Sequence, residues 1–509
     1  MNLVTTLRYS SRILLAISGL VLMSCASRSD YPPSGPDKPG GSLFTTSLGS
    51  FGEPDQHDNS TRHSESLESG AGLLGKTLIV DPLVRPFSTI KALYGATIKS
   101  TGGFLERTLI ERVRFPLLER AALPELSNAD PMDMEAWNTH LDALTSTTAT
   151  SGSIRFLVDG EAYFKRLDQA IRQADESVDI RTYIYDNDDV ALQMADLLRA
   201  RSDAIDVRIM VDGLADLFAT RLDSSSMPET VELPPSISDY LAYNSKIEFR
   251  KQSNPWFTGD HAKITIVDRE LAFLGGMNIG REYRHDWHDL MMEVEGPVVQ
   301  ELQFQFDLSW AKAGVLGDLG WFLTALKGYQ QDEAEGDYPI RVLTTTIHDS
   351  ELYRAQIAAI RRARSYIFIE NAYFSDDKLL YELARARRRG VDVRVILPVE
   401  GDSGVLNLSN QKTINTMLRN GIRVYSYPGM THLKAAVYDG WACLGSANFD
   451  KLSLQINQEI NLAFSDPGAV AQLLEQVFYP DFAKSTELHQ ALPLTGRHHF
   501  AELLADELF

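Results

Sequence analysis

The chain has 509 residues, 44% of them hydrophobic and 23% charged, a length for about three structural units. That balance excludes a disordered, collagen-like or multi-span membrane protein. Its two cysteines, Cys25 and Cys443, exclude a disulfide-stapled scaffold and a cysteine-based zinc site. The net charge of −20 repels bulk polyanions, so general nucleic-acid binding is not expected, although a local basic site could hold one phosphate.

The N-terminus reads as a targeting segment. Arg8 and Arg12 precede an apolar run, Ile13 to Met23, too short for a bilayer span of about 20 residues and suited to a secretory signal. The run ends in Leu22-Met23-Ser24-Cys25, which resembles the lipobox of bacterial lipoproteins. That resemblance implies removal of residues 1–24, lipidation of Cys25 and, with Ala26 following, the periplasmic face of the outer membrane. A plain signal peptide that contains a cysteine is the alternative. Removal takes away two arginines and no acid, leaving −22. Residues 25–72 are rich in Ser, Gly, Pro, Asp and Glu, and are expected to be a flexible tether.

Residues 73–150 form a helical, partly basic region. Lys76 to Arg120 holds eight basic and four acidic side chains, and Leu105, Leu109, Val113 and Leu117 recur at helical spacing. Two readings stand: a helical brace packed on the first repeat, or a basic amphipathic surface resting on anionic headgroups.

The remainder is an internal repeat. SVDIRTYIYDNDD from Ser177 matches SYIFIENAYFSDD from Ser365, each after an amphipathic helix and before a second apolar strand, at Val207 and Val393. Strand and helix alternate, so the fold class is α/β: two domains, each a central β-sheet flanked by helices, packed as a pseudo-twofold pair. The expected boundaries are 151–328 for the first, 329–339 for a linker and 340–509 for the second with a helical tail. A stretch near Leu217 to Pro235 is longer in the first copy and is expected to loop over the site.

The chemistry recurs at matching places. HAKITIVDRELAFLGGMNIG carries His261, Lys263, Asp268 and Asn278; HLKAAVYDGWACLGSANFD carries His432, Lys434, Asp439 and Asn448. Along a strand, i and i+2 face one side, so each His–Lys pair should enter one pocket while the residue between points away. Two lysines to neutralise phosphate oxygens, two amides to donate, and two histidines to attack and carry protons suit a phosphodiester. Ser446 stands where the first copy has Gly276, so only the second copy offers a hydroxyl beside the phosphate. Cys443 is expected to be a buried packing thiol.

The doubled H-x-K-x4-D with its following G-[GS]-x-N resembles the phospholipase D superfamily, and GGMNIGREY, WHDLMMEVEGPVV and IENAYF resemble its cardiolipin synthase branch. The resemblance covers residues 154–480. It implies that one histidine, here assigned as His261, forms a phosphohistidine while the other protonates the leaving oxygen. It also implies that no cofactor or metal is needed and that Asp268 and Asp439 are structural. An acid on a later strand would orient each histidine: Asp289, 28 residues after His261, and Glu459, 27 after His432. Glu293 and Glu295 are expected to face solvent. The implied activity is phosphatidyl transfer between membrane phospholipids, in that branch onto the hydroxyl of phosphatidylglycerol; a phospholipid hydrolase is the alternative, with a nuclease disfavoured by charge. The expected partners are phospholipids and the membrane surface, with no nucleic acid.

Overall fold

The computed structural model describes residues 79–494 except 214, 216–225, 229–230, 253–257, 329–335, 399–400 and 402–403. The signal segment, Cys25, the tether, most of the Leu217–Pro235 stretch and most of the linker lie outside the described residues.

The first repeat supplies β1 (Thr150–Val158), β2 (Ser177–Thr182), β3 (Asp206–Asp212), β4 (Glu248–Gln252), β5 (Ile264–Val267), β6 (Leu271–Gly275) and β7 (Leu290–Glu295). The second supplies β8 (Tyr338–Thr345), β9 (Tyr366–Asn371), β10 (Asp392–Pro398), β11 (Arg423–Tyr427), β12 (Lys434–Tyr438), β13 (Trp441–Gly445), β14 (Glu459–Phe464) and β15 (Thr486–Leu488). β8 therefore includes Tyr338 and Pro339, which composition assigns to the linker. Among the described residues these strands make one fifteen-stranded sheet in the order β15-β11-β10-β9-β12-β13-β14-β8-β1-β7-β6-β5-β2-β3-β4. From the central β1–β8 seam both copies run outward in the same order, which is the pseudo-twofold expected from the repeat.

The local signals explain the elements. β5 and β14 are buried along their whole length, as continuous apolar runs such as ITIV require. The acidic turns after β2 and β9 are helix N-caps: Asp188 accepts from the Ala191 N–H and Asp376 from the Leu379 N–H, both at 2.8 Å. The helices they start, Asp189–Arg201 and Asp377–Arg388, are the crossovers of the parallel pairs β2–β3 and β9–β10. One apolar cluster runs across the seam, joining Ile154 and Met292 to Val342 and Leu462, so the two copies share a core. Cys443 is buried in the second copy's core.

Two expectations are corrected. Glu293 is buried, paired with Arg155, its partner across the β1 ladder, and with Arg166 of the overlying helix Gly160–Gln173 at 2.8 Å. Glu295 is exposed as expected. The N-terminal region does not brace the first copy alone. Ile110, Phe115, Trp137 and Leu141 enter the core of the second, while Arg85 donates to the carbonyls of Lys312, Ala313 and Gly314 at the end of a first-copy helix, Val298–Ala313.

Candidate active site

Each motif strand is set by its turn. Asp268 and Asp439 sit at φ +53° and +51° in the β5–β6 and β12–β13 hairpins. The Asp268 carboxylate accepts from the backbone N–H groups of Asp175, Glu176 and Ser177 at 2.7–2.9 Å. Asp439 accepts from Met132, Arg364, Ser365 and Tyr366 over the same range. Each therefore ties its hairpin to the start of the neighbouring strand. At the other end, a Cβ on Gly275 would lie 2.2 Å from the Leu290 carbonyl and one on Gly445 2.4 Å from that of Ile460. Glycine there lets the hairpin press against the acid-bearing strand.

The acids reach across the twofold. His261 Nδ1 lies 3.0 Å from Glu459 Oε1, and His432 Nδ1 lies 2.7 Å from Asp289 Oδ2. Spacing pairs each histidine with the acid of its own copy; the fold crosses them. The cause is in the backbone. Asp260 bridges in parallel to Gln458, and His288 to Thr431, so the segment before each histidine runs beside the segment before the other copy's acid. His261 N–H donates to the Gln458 carbonyl at 2.9 Å and His432 N–H to that of His288 at 2.7 Å. With Nδ1 engaged, Nε2 is the ring atom left for other partners.

Burial dominates the electrostatics. It holds His261 and His432 well below the ordinary imidazole value, reinforced by the Lys263 and Lys434 charges. It raises Asp289 to about 7 and Glu459 to about 8, opposed by Lys434 and Lys263 respectively. Lys263 is pushed down to about 7 by burial, with the Lys434 charge adding to it and the Glu459 charge opposing. Both lysines act on both histidines, so the four side chains form one site. Lys263 Nζ donates to the His261 carbonyl at 2.7 Å and Lys434 Nζ to that of His432 at 2.5 Å, fixing each cation beside its histidine.

Asn278 is buried, its Oδ1 accepting from Thr182 Oγ1 and the Ile184 N–H at 3.2 Å, which leaves its amide as a donor. Asn448 is buried too, and its Oδ1 has no hydrogen bond among the described residues. Ser446 departs from expectation. Its fully buried hydroxyl donates to Glu459 Oε2 at 2.6 Å and accepts from the Ile460 N–H at 3.0 Å, so it holds the orienting acid instead of facing a phosphate. The first copy cannot match it: a Cβ on Gly276 would stand 2.2 Å from Asp289 Oδ1. Glycine with aspartate and serine with glutamate are two solutions to one spacing.

Several neighbours were not read from sequence. Tyr183 lies edge-on to His261 at 4.8 Å, and Tyr283 and Trp287 stand 5.6 and 5.2 Å from His432. Arg181 pairs with buried Asp260 at 2.6 Å, directly before His261 in the chain. His288 contacts Asp159 at 2.5 Å and Asp481 at 2.9 Å, and Thr431 donates to Glu370 at 2.6 Å. His288, Glu370 and Asp481 offer ligand atoms within 4.8 Å of one another, a grouping that spans both copies and that spacing could not reveal. The acids beside the histidines in DH and HD were the available signals.

The family model described as "Cardiolipin synthase, PLD-like domain" matches residues 167–310 and 356–481. The chain is 29% identical over 388 residues to the probable cardiolipin synthase YwiE of Bacillus subtilis, covering 73% of this chain and 74% of that protein. It is 30% identical over 353 residues to cardiolipin synthase 1 of Bacillus anthracis, covering 66% and 67%. Cardiolipin synthase B of Escherichia coli K12 is 27% identical over 329 residues, 62% of this chain and 76% of that one. The fold is shared with the crystal structure of the phosphatidylserine synthase of Haemophilus influenzae, at a TM-score of 0.57 and 14% identity over 72% of this chain and 96% of that one.

Proposed function

The chain belongs to the cardiolipin synthase, PLD-like domain family, and from that premise we propose that it is a phosphatidyltransferase of membrane phospholipids, forming cardiolipin with phosphatidylglycerol as acceptor. The observation that carries this reading is the pair of crossed histidine–acid dyads, with the charges of Lys263 and Lys434 acting on both histidines.

His261 Nε2 attacks the donor phosphorus. The P–O bond to the leaving alcohol breaks, and His432 gives that oxygen its proton. The acceptor hydroxyl then passes its proton to His432 and attacks phosphorus, the P–N bond breaks, and His261 is restored. Lys263, Lys434, Asn278 and Asn448 hold the non-bridging oxygens as charge develops. Asp289 and Glu459 fix the ring tautomers. Transfer and hydrolysis differ only in whether alcohol or water attacks, and the deep burial of His432 favours the alcohol delivered by a bound lipid.

Two measurements test this. Lipid extracts of cells with and without the gene, resolved by mass spectrometry, should differ in cardiolipin; accumulation of phosphatidic acid alone would identify a hydrolase. A radiolabelled donor should trap a phosphohistidine in His432→Ala and not in His261→Ala. The reverse pattern exchanges the two roles.

The same reading includes a lipid anchor at Cys25 and residence on the periplasmic face of the outer membrane. The support is the short apolar core ending in Leu22-Met23-Ser24-Cys25 and the alanine after it. Labelling with a fatty acid should mark the wild type and spare Cys25→Ala; equal labelling of both ends the idea.

A further inference from the structure

The first described helices are amphipathic in the inverted sense. On their inner side the short helix Asp81–Val84 and the long helix Pro86–Leu109 bury Asp81, Arg85, Thr89 and Ala92. The charged members pair internally: Arg85 Nη1 lies 3.1 Å from Asp81 Oδ1, and its remaining nitrogens hold three carbonyls at the C-terminal end of the Val298–Ala313 helix. Leu83, Phe87, Ile90, Tyr94 and Ile98 recur at steps of three and four and all point outward, Phe87 at 71% exposure. That stripe is about 22 Å long.

A second helix, Gly317–Lys327, continues the inversion. Its glycines let it pack closely on two neighbours: a Cβ on Gly317 would meet the Val84 carbonyl of the short helix at 2.5 Å, and one on Gly320 the Ala311 carbonyl of the Val298–Ala313 helix at 2.9 Å. Ser88 donates to Asp318 through both its N–H, at 2.9 Å, and its hydroxyl, at 2.5 Å. With its glycines inward, the helix turns its large side chains out, Leu326 at 67% exposure. Surface helices in water place polar groups outward and leave no apolar face of this extent. None of the described helices is long and apolar enough to cross a membrane.

We propose that this two-helix face lies in the plane of a phospholipid bilayer, its apolar side chains inserted among the acyl chains beside the catalytic pocket. Three features choose a bilayer over other occupants. Exposed Lys91 and Arg112 on the same helical segment complement anionic headgroups. Residues 1–78, whose sequence contains the proposed acylation site, enter the described chain at Ile79, where this face begins. The face also adjoins the site. Lys99 of the long helix reaches the Gln455 carbonyl, two residues before Asn457, whose Oδ1 accepts from the Gly259 N–H at 2.9 Å, two residues before His261. The inference takes from the proposed function only that the substrate is a bilayer lipid. It replaces attraction by basic side chains with insertion, because Arg85 and Lys99, two of the basic residues in the stretch, face inward.

The test uses the full chain carrying Cys25→Ala, so that no acyl chain contributes, with and without Phe87→Glu, Ile90→Glu and Phe322→Glu together. The parent should sediment with vesicles of phosphatidylcholine and phosphatidylglycerol, and its bound fraction should change by less than about twofold up to about 0.5 M salt. The triple variant should lose about tenfold in partition, with unchanged melting temperature, unchanged sedimentation in solution and unchanged turnover of a monomeric short-chain phosphatidylglycerol. Tyr243→Glu, at another exposed aromatic, should bind as the parent does. Retained binding in the triple variant overturns the proposal, as does release by salt. A fall in melting temperature assigns the face to an internal contact, and a change of oligomeric state assigns it to a second copy. An inactive parent that still binds vesicles counts against the phosphatidyltransferase and leaves the docking face standing.

Discussion

The orienting acids are where single residues matter most. Glu459→Gln keeps the shape of the side chain and replaces the carboxyl group that holds His261 Nδ1 with an amide that cannot exchange a proton with it, so turnover should fall by about 10–100-fold. Because Glu459 and His261 form one dyad, Glu459→Gln added to His261→Ala should cost nothing further, the non-additivity of groups acting as a unit. Nitrogen NMR of the imidazoles makes the crossing visible: Glu459→Gln should move the His261 resonances and leave those of His432 in place. Movement of His432 alone would return each acid to its own copy. The motif residues were legible in sequence because each copy repeats them. The crossing was not, since it comes from backbone pairing between segments about 200 residues apart, here His261 with Gln458.

The hairpins show how far local pattern reaches among the elements. H-x-K leads into a strand, β5 from Ile264 and β12 from Lys434, the turn aspartate takes a left-handed turn, and Gly275 and Gly445 make a close strand contact, because all of these are local demands. The turn aspartates differ in load. Asp439 gathers four backbone N–H groups, one of them Met132 from the N-terminal region, and Asp268 gathers three. Leaving such donors unpaired costs about 1–3 kcal/mol where they are buried. Asp439, buried, should therefore lose more on change to Ala than Asp268, whose donors are partly solvated. Chemical denaturation of the two variants checks the order, and equal losses would refute it. The outward apolar stripe at Leu83, Phe87 and Ile90 carries a different lesson. Periodicity announces that a helix has an apolar face and says nothing of which medium that face meets; only the glycines and the buried Arg85 of the folded chain decide it.

At the scale of the whole molecule, the two copies are held by a titratable node. Burial alone would lower the His288 pKa, but hydrogen bonds to Asp159 of the first copy and Asp481 of the second outweigh it and raise the value to about 10. The folded state thus keeps a proton that the unfolded chain sheds near 6.5. The stability this contributes is complete below about 6.5 and is lost as pH rises toward about 10. Thermal melts from neutral to alkaline pH should show a falling limb in the wild type and a flatter one in His288→Gln. An unchanged slope would remove His288 from that role. The general architecture was readable from the repeat, including the twofold. The fused sheet and its shared core were not, because repeat spacing fixes the copies and not the edge by which they join.

The crossed dyads also bear on ancestry. A chain holding only one such repeat would carry a histidine whose acid belongs to another molecule, so it would be inert until two chains met about a symmetry axis. Its initial rate at low concentration would grow with the square of the amount present. Fusing two repeats through the β1–β8 seam, where Thr150–Gly152 pair with Tyr338–Ile340, makes the encounter intramolecular and the rate linear. Once fused, the halves no longer have to be alike. The Gly276–Asp289 and Ser446–Glu459 solutions could then drift apart, and each histidine could settle into its own half of the reaction.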